Sequence, residues 1–391
     1  MVQAMSLFNQ LLQHFPKLEF AALVKKHNAE RASKGFSCRT QLVAMLFCQL
    51  AHADSLREIC NGLACCVGKL VHLGIDVAPS KSTLSYANKH RPAKLFEDLF
   101  YTALARFRDE KGLGSRKRKF RFKNKLLSLD STTISLCLEM FPWARFRQAK
   151  GGVKAHVLLD HDDYLPSYVL ITEARCGDVK LADSFPLNPG SIVAMDRGYN
   201  DYGLYGRWTE RGIFFVTRLK DNARYEVLDT GALPANRNIL GDELIEFTCE
   251  KAKKDCPYPL RRVAVWDPVG EREIVLLTNL IEFGPTTIAA IYKDRWEIEL
   301  FFKALKQNLK VKSFVGTSEN ALRIQIWTAL IAILLLKWMH HLSKAKWSLS
   351  NLASMLRLNL FTYRDLGAWL DNPFGTPPIL PESQQLNLGL A

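Results

Sequence analysis

From residue 126 the hydrophobic period of the chain changes from that of a helix to that of a strand, and this change limits the possible folds most. Leu126-Leu127-Ser128-Leu129 is a largely apolar run ending on Asp130, followed by the β-branched Thr132, Thr133 and Ile134. Val153 to Leu159 and Tyr164 to Thr172 read as strands around Asp160-His161-Asp162-Asp163, whose acids suit a turn better than a metal loop. Asp178 to Phe185 reads as helical. Ser191 to Met195 is the next buried strand, ending on Asp196, and a short helix to about Arg211 precedes the strand Gly212 to Leu219. This β-β-β-α-β-α-β order predicts a mixed α/β sheet covered by helices.

The flanks read differently. Residues 1–108 form a helical domain with a candidate DNA-binding role. Ser55-x-x-Glu58 is a capping box opening a short helix, and a second helix from Ser80 stops before Pro92. The exposed positions of that second helix carry hydroxyl, amide and basic groups, as in a helix-turn-helix, although the intervening stretch is long for one. A third helix, Ala93 to Arg108, has Leu95, Leu99 and Leu104 for its core face. Residues 109–125 form a basic linker, with seven basic residues among the eleven from Ser115 to Lys125. Arg116, Lys117, Arg118, Lys119 and Arg121 are its candidate phosphate contacts.

Residues 126–219 form the first part of the core. Short alternating runs over 220–281 read as a β-rich insertion, with strands at Tyr225 to Leu228, Glu243 to Cys249, Arg261 to Trp266 and Glu273 to Leu277. Residues 282–345 return to the core, and 346–391 are a helical C-terminal region with a Pro-containing tail. The apolar run Ile326 to Leu336 is shorter than the ~20 residues that cross a bilayer, so a buried helix is expected and no membrane partner.

The formal net charge of +14 favours a polyanionic partner, nucleic acid before membrane. Nine cysteines, odd in number and without paired C-x2-C spacing, suit buried thiols in a reducing compartment. No basic n-region followed by an apolar run opens the chain, so a cytoplasmic, nucleoid-associated protein is expected.

The stretch from Tyr292 to Lys306 reads as one amphipathic helix. At about 100° per residue, Tyr292, Arg295, Glu299 and Lys306 fall within an arc of roughly 60°, beside an apolar stripe of Ile298, Phe301, Leu305 and Leu309. A solvated face with i,i+4 charge pairs would explain this stripe alone. Asp130 and Asp196, each ending an apolar strand, could likewise be turn or helix caps. Their convergence with Glu299 would be costly without cations, since two like charges ~4 Å apart repel by about 4 kcal/mol at an effective dielectric of 20. Mg²⁺ or Mn²⁺ suits such an all-oxygen set, and a metal pair clamps the attacking and leaving oxygens of a phosphoryl displacement. Arg295, Lys306 and Tyr292 suit phosphate positioning.

The spacing Y-x2-R-x3-E-x6-K at Tyr292, Arg295, Glu299 and Lys306 resembles the YREK signature of bacterial DDE transposases of the insertion sequence 4 family. Leu127-Ser-Leu-Asp130-Ser-Thr, Asp196-Arg-Gly-Tyr199, Phe215-Val-Thr-Arg218 and Leu276-Leu-Thr278 also resemble that family, in the expected order. The resemblance implies an RNase H-like core with a β-rich insertion, flanked by helical N- and C-terminal regions. It implies that Asp130, Asp196 and Glu299 are catalytic and bind two Mg²⁺ ions, for which Mn²⁺ can substitute. Tyr292, Arg295 and Lys306 would contact DNA near the transposon end. The implied reaction is metal-dependent cleavage at element ends and transfer of the 3′-OH to target DNA, by a homodimer or higher multimer on double-stranded terminal inverted repeats. Where some relatives place a Trp for a DNA hairpin step, this chain has Ile274, with Trp266 further back. Another RNase H-like nuclease or resolvase, or a catalytically silent DNA-binding regulator descended from a transposase, remains an alternative.

Overall fold

The computed structural model describes residues 5–379 apart from 32, 34, 67, 110, 111, 115–117, 138, 148, 149, 236, 237 and 312. The chain divides into two compact units, residues 1–113 with 304–391, and residues 114–303.

The first unit is helical. Its leading part contains α1 (Leu7–Gln13), α2 (Lys17–Lys26), α3 (Cys38–Ala51), α4 (Leu56–Ala64), α5 (Lys81–His90) and α6 (Lys94–Asp109). Serine hydroxyls at positions 6, 37, 55 and 80 accept from N–H groups in the first turns of α1, α3, α4 and α5. At α4 the Ser55 hydroxyl accepts from Glu58 N–H at 3.1 Å. The Glu58 carboxylate reaches one residue further back than in a strict capping box, to Asp54 N–H at 2.8 Å.

The second unit is built on one mixed sheet of ten strands among the described residues. Its elements are β1 (Leu126–Leu136), β2 (Arg145–Arg147), β3 (Lys150–Asp160), β4 (Leu165–Glu173), α7 (Asp178–Ala182), β5 (Ile192–Met195), α8 (Tyr202–Glu210), β6 (Phe214–Arg218), β7 (Tyr225–Thr230), β8 (Ile239–Phe247), α9 (Glu250–Asp255), β9 (Leu260–Asp267), β10 (Arg272–Thr278), α10 (Pro285–Asp294) and α11 (Glu297–Asn308). The strand order is β2-β3-β1-β5-β6-β10-β9-β8-β7, with β4 also on β3. β1, β5 and β6 are parallel, and the other pairings are antiparallel. All four residues of β5 are buried, as expected of a central parallel strand covered on both faces. β10 pairs directly with β6, so the strands of 220–281 continue the central sheet rather than forming a separate one.

Alternation sorts the strand side chains into two cores. Leu127, Leu129, Val193, Met195, Phe215 and Leu277 face one way, beneath Leu204, Tyr205 and Trp208 of α8. Leu126, Ile192, Ala194, Val216 and Leu276 face the other way, beneath Ile288 and Ile291 of α10. α10 starts with Pro285 in its first turn, where a missing N–H costs nothing.

The helical unit resumes within α11 and adds α12 (Glu319–Leu342), α13 (Leu349–Asn359) and α14 (Leu366–Asp371). α12 is long and apolar enough to cross a membrane, yet it lies mostly buried in the fold. Its buried polar residues are satisfied: Gln325 donates to the carbonyls of Lys310 (2.7 Å) and Ser313 (2.8 Å) and accepts from Val315 N–H at 2.9 Å.

Candidate active site

The site is built where the parallel ladder stops. Leu129 of β1 pairs with Met195 of β5, the last pair of that ladder, so Asp130 and Asp196 follow it on neighbouring strands. Asp130 does not end its strand, as the sequence suggested. β1 runs on to Leu136 because β3 continues to pair with it, Asp130 opposite Val157. With Leu129 and Met195 turned into the α8 core, Asp130 and Asp196 project on the α10 face.

The end of α10, the residue after it and the first turn of α11 supply the other groups. The Arg295 guanidinium stands 4.0 Å from Asp130 Oδ2, and its Nη2 donates to Glu299 Oε1 at 2.9 Å. It also lies 5.4 Å from the centre of the Tyr292 ring, a cation–π arrangement. Burial opposes the Arg295 charge, but Tyr292, Glu299 and Asp130 outweigh it and hold the guanidinium above its ordinary value. Its Nε is buried and makes no hydrogen bond among the described residues. Burial also raises the Tyr292 phenol, with Asp196 adding to the effect and Arg295 and Arg218 opposing it.

The single long helix expected from Tyr292 to Lys306 is instead two. α10 ends at Asp294 and α11 begins at Glu297. Across the junction the N–H groups of Trp296, Ile298 and Glu299 bond three residues back, to Lys293, Arg295 and Trp296, so the backbone tightens locally. Asp294 and Arg295 both turn inward here, each drawn to different charged partners. A hydrophobic period cannot register that pull.

Asp130 carries the electrostatic signature of the site. Burial pushes its carboxyl up to about 6, and the charges of Asp196 and Glu299 add to this. The Ser131 N–H, 2.7 Å from Asp130 Oδ1, and Arg295 oppose it. An anionic cluster so short of positive charge, with oxygen donors only, fits a hard divalent cation. The described side chains nonetheless contain no three Asp, Glu, His or Cys within ligating reach of one point. Arg295 instead bridges Asp130 and Glu299, while Asp196 acts on Asp130 through its charge.

Of the remaining expected residues, Lys306 is on α11, in the part of the chain belonging to the helical unit. Arg118 pairs with Asp162 at 3.3 Å, and Lys119 pairs with the buried Asp294. Arg121 is exposed. Arg116 and Lys117 lie outside the described residues. Ile274 packs partly buried against the α10 core and offers no stacking face.

One group near the acids was not legible in the sequence. Asp178, at the start of α7, accepts from Ser131 Oγ at 2.9 Å and from Lys154 Nζ at 3.1 Å. Burial works against its charge, but His156, Ser131 and Lys154 hold the carboxyl down at about 2. Ser131 thus contacts Asp130 through its N–H and Asp178 through its hydroxyl. The pairing of β1 with β3 sets Ser131 opposite His156, and α7 brings Asp178 to them, a meeting that no spacing in the chain signals.

The family described as Transposase DDE domain matches residues 121–335, more than half of the chain. The chain belongs to the DDE transposases. A domain of unknown function, DUF4372, matches residues 3–76. A putative transposase, y4zB, of Sinorhizobium fredii is 30% identical over 79% of this chain and 84% of its own. A probable transposase for insertion sequence element IS5377 of Geobacillus stearothermophilus is 30% identical over 71% of this chain and 74% of its own. A putative transposase for insertion sequence element IS4SA of Synechocystis is 28% identical over 66% of this chain and 70% of its own. This transposase is therefore a polynucleotidyl transferase acting on DNA, of a family that uses divalent metal ions, and its sheet is the RNase H-like core of that family.

Proposed function

We propose that this transposase cleaves DNA at the ends of its insertion sequence and joins the freed 3′-OH to target DNA. The observation that supports the reading is the pairing of Arg295 with both Asp130 and Glu299, with Asp196 beside Asp130 at the end of the β1–β5 ladder. Asp130, Asp196 and Glu299 would hold two Mg²⁺ ions, or Mn²⁺ in their place, which supply Lewis-acid stabilisation of the attacking and leaving oxygens. Arg295 then exchanges its carboxylate partners for a phosphate oxygen, and its unpartnered Nε supports that role. Tyr292 backs the guanidinium through its ring, and Lys306 adds a further phosphate contact.

End recognition falls to the N-terminal helices. α5 buries Leu84, Ala87 and Asn88 and exposes Lys81, Ser82, Thr83, Ser85, Tyr86 and Lys89, a surface of donors and cations without an acid. The basic segment 115–125 has a smaller part, because Arg118 and Lys119 already have acidic partners. The protein acts in the bacterial cytoplasm as a dimer or higher multimer on paired terminal inverted repeats.

The test uses a duplex carrying the sequence that flanks the coding region. Asp130→Asn should retain end binding in a gel shift and lose Mg²⁺-dependent cleavage and strand transfer. Cleavage by that variant at the parental rate would refute the assignment.

A further inference from the structure

A second chain of polar contacts runs beside the acidic cluster and takes no part in the proposed chemistry. His161, in the turn between β3 and β4, has Nε2 2.6 Å from Ser128 Oγ and Nδ1 2.7 Å from Asp294 Oδ2. The side chains of His161 and Asp294 are almost wholly buried, and Ser128 is fully so. The Tyr164 hydroxyl donates to Asp294 at 3.4 Å, and Lys119 pairs with the other carboxylate oxygen. An ionised carboxylate only accepts, so Nδ1 carries the proton and donates to Asp294. The order Ser-His-Asp is that of a serine hydrolase, but a serine closed off within a sheet meets no substrate.

The placement suggests another use. Ser128 precedes Asp130 by two residues and shares its face of β1, while Asp294 directly precedes Arg295. Two cross-links therefore join the same strand to the same helix junction: Asp130–Arg295–Glu299 and Ser128–His161–Asp294. The first must change partners when metal and phosphate arrive. The second has no reason to.

Taking Asp130, Asp196 and Glu299 as the metal ligands, we propose that His161 is a positioning residue. Its bond to Asp294 fixes the α10–α11 junction on β1 and so holds Glu299 in register with Asp130 and Asp196. Lys119 and Tyr164 brace the same carboxylate, which gives the segment before β1 an architectural task.

The test measures Mn²⁺ binding to the full-length protein by calorimetry, alongside thermal unfolding. His161→Phe should weaken Mn²⁺ binding about tenfold, the loss typical of outer-shell partners. Asn places an amide N–H near the position of Nδ1, whereas Gln places one near Nε2. His161→Asn should therefore bind within about twofold of the parent and His161→Gln should resemble His161→Phe, although all three lower the melting temperature. Asp294→Leu, which keeps the size and removes the acceptor, should also lose about tenfold should the Phe variant not fold. Mn²⁺ affinity unchanged in His161→Phe or Asp294→Leu, or equal in the Asn and Gln variants, overturns the proposal. A parent that binds no Mn²⁺ overturns instead the assignment of the three acids as metal ligands.

Discussion

Replacing Asp130 by Asn should stabilise the metal-free protein while abolishing its chemistry. The Asp130 carboxyl titrates near 6 in the fold against an ordinary 3.8, because burial and the charges of Asp196 and Glu299 disfavour its ionised form. Each tenfold change in proton affinity corresponds to about 1.4 kcal/mol, so holding Asp130 ionised costs the folded state about 3 kcal/mol at most. The sign follows from the raised value. The neutral carboxyl suits the fold, so this contribution is fully present below about pH 4 and is lost as pH rises through about 6. Asn imitates the neutral carboxyl, keeps an oxygen for the Ser131 N–H, and does not ionise. In EDTA, Asp130→Asn should match the parent near pH 4, gain on it between pH 4 and 6, and exceed it by about 2–3 kcal/mol at pH 8. At roughly 2–4 °C per kcal/mol for a unit of this size, calorimetry should show a rise of roughly 5–10 °C. Saturating Mg²⁺ should reverse the order, since ligand binding stabilises only the parent. A variant melting below the parent at pH 8 in EDTA, or an advantage independent of pH, would show that the acids are not an electrostatically strained cluster.

Gly206 of α8 lies against α9, where an added Cβ would collide with the Asp255 carbonyl and come 3.3 Å from Cys256 Cα, so Gly206→Ala should lose about 1–3 kcal/mol in urea denaturation. Arg261 grips Asp242 through two contacts of 2.6 Å and also donates to the Ile281 carbonyl at 2.8 Å. Arg261→Met should therefore cost about 3–5 kcal/mol by leaving a buried carboxylate unpaired, and adding Asp242→Leu should recover much of it; a fully additive loss would show the pair is not coupled. Burial pushes the Cys38 and Cys48 thiols up to about 12, so they should react with a thiol reagent only on unfolding, whereas the exposed Cys65, Cys137 and Cys249 should react in the native protein, as peptide mapping can check.

Much of this architecture was legible because it follows from period and spacing. The all-apolar run at 192–195 had to be a strand covered on both faces, and the alternation at 225–228 and 261–266 marked strands that are indeed present. The signature from Tyr292 to Lys306 is a spacing as well. Contacts between groups of opposite charge were not legible. Arg118 and Lys119 read as free cations in a basic run, yet their partners Asp162 and Asp294 lie far along the chain. The helix break at Arg295 has the same origin, since periodicity describes how a helix meets an apolar core and says nothing of an inward-turned guanidinium.

Charge pairing also decides how the acidic site is held together before any metal binds. Asp130, Asp196 and Glu299 repel one another, and burial sharpens the repulsion. A single guanidinium between Asp130 and Glu299 relieves it, but only while the junction carrying Arg295 stays seated on β1. The neutral contacts under α10, Ile288 and Ile291, secure the helix but cannot fix its charged end. Buried polar groups with defined partners fix geometry where apolar contacts allow sliding. The Asp294 carboxylate, held by His161 and Lys119, is such a fixture, and it is adjacent in sequence to the residue whose position matters. The repulsion between Asp130 and Glu299 is thus relieved at Arg295, and the contacts of the neighbouring Asp294 with His161 and Lys119 oppose any shift of that junction.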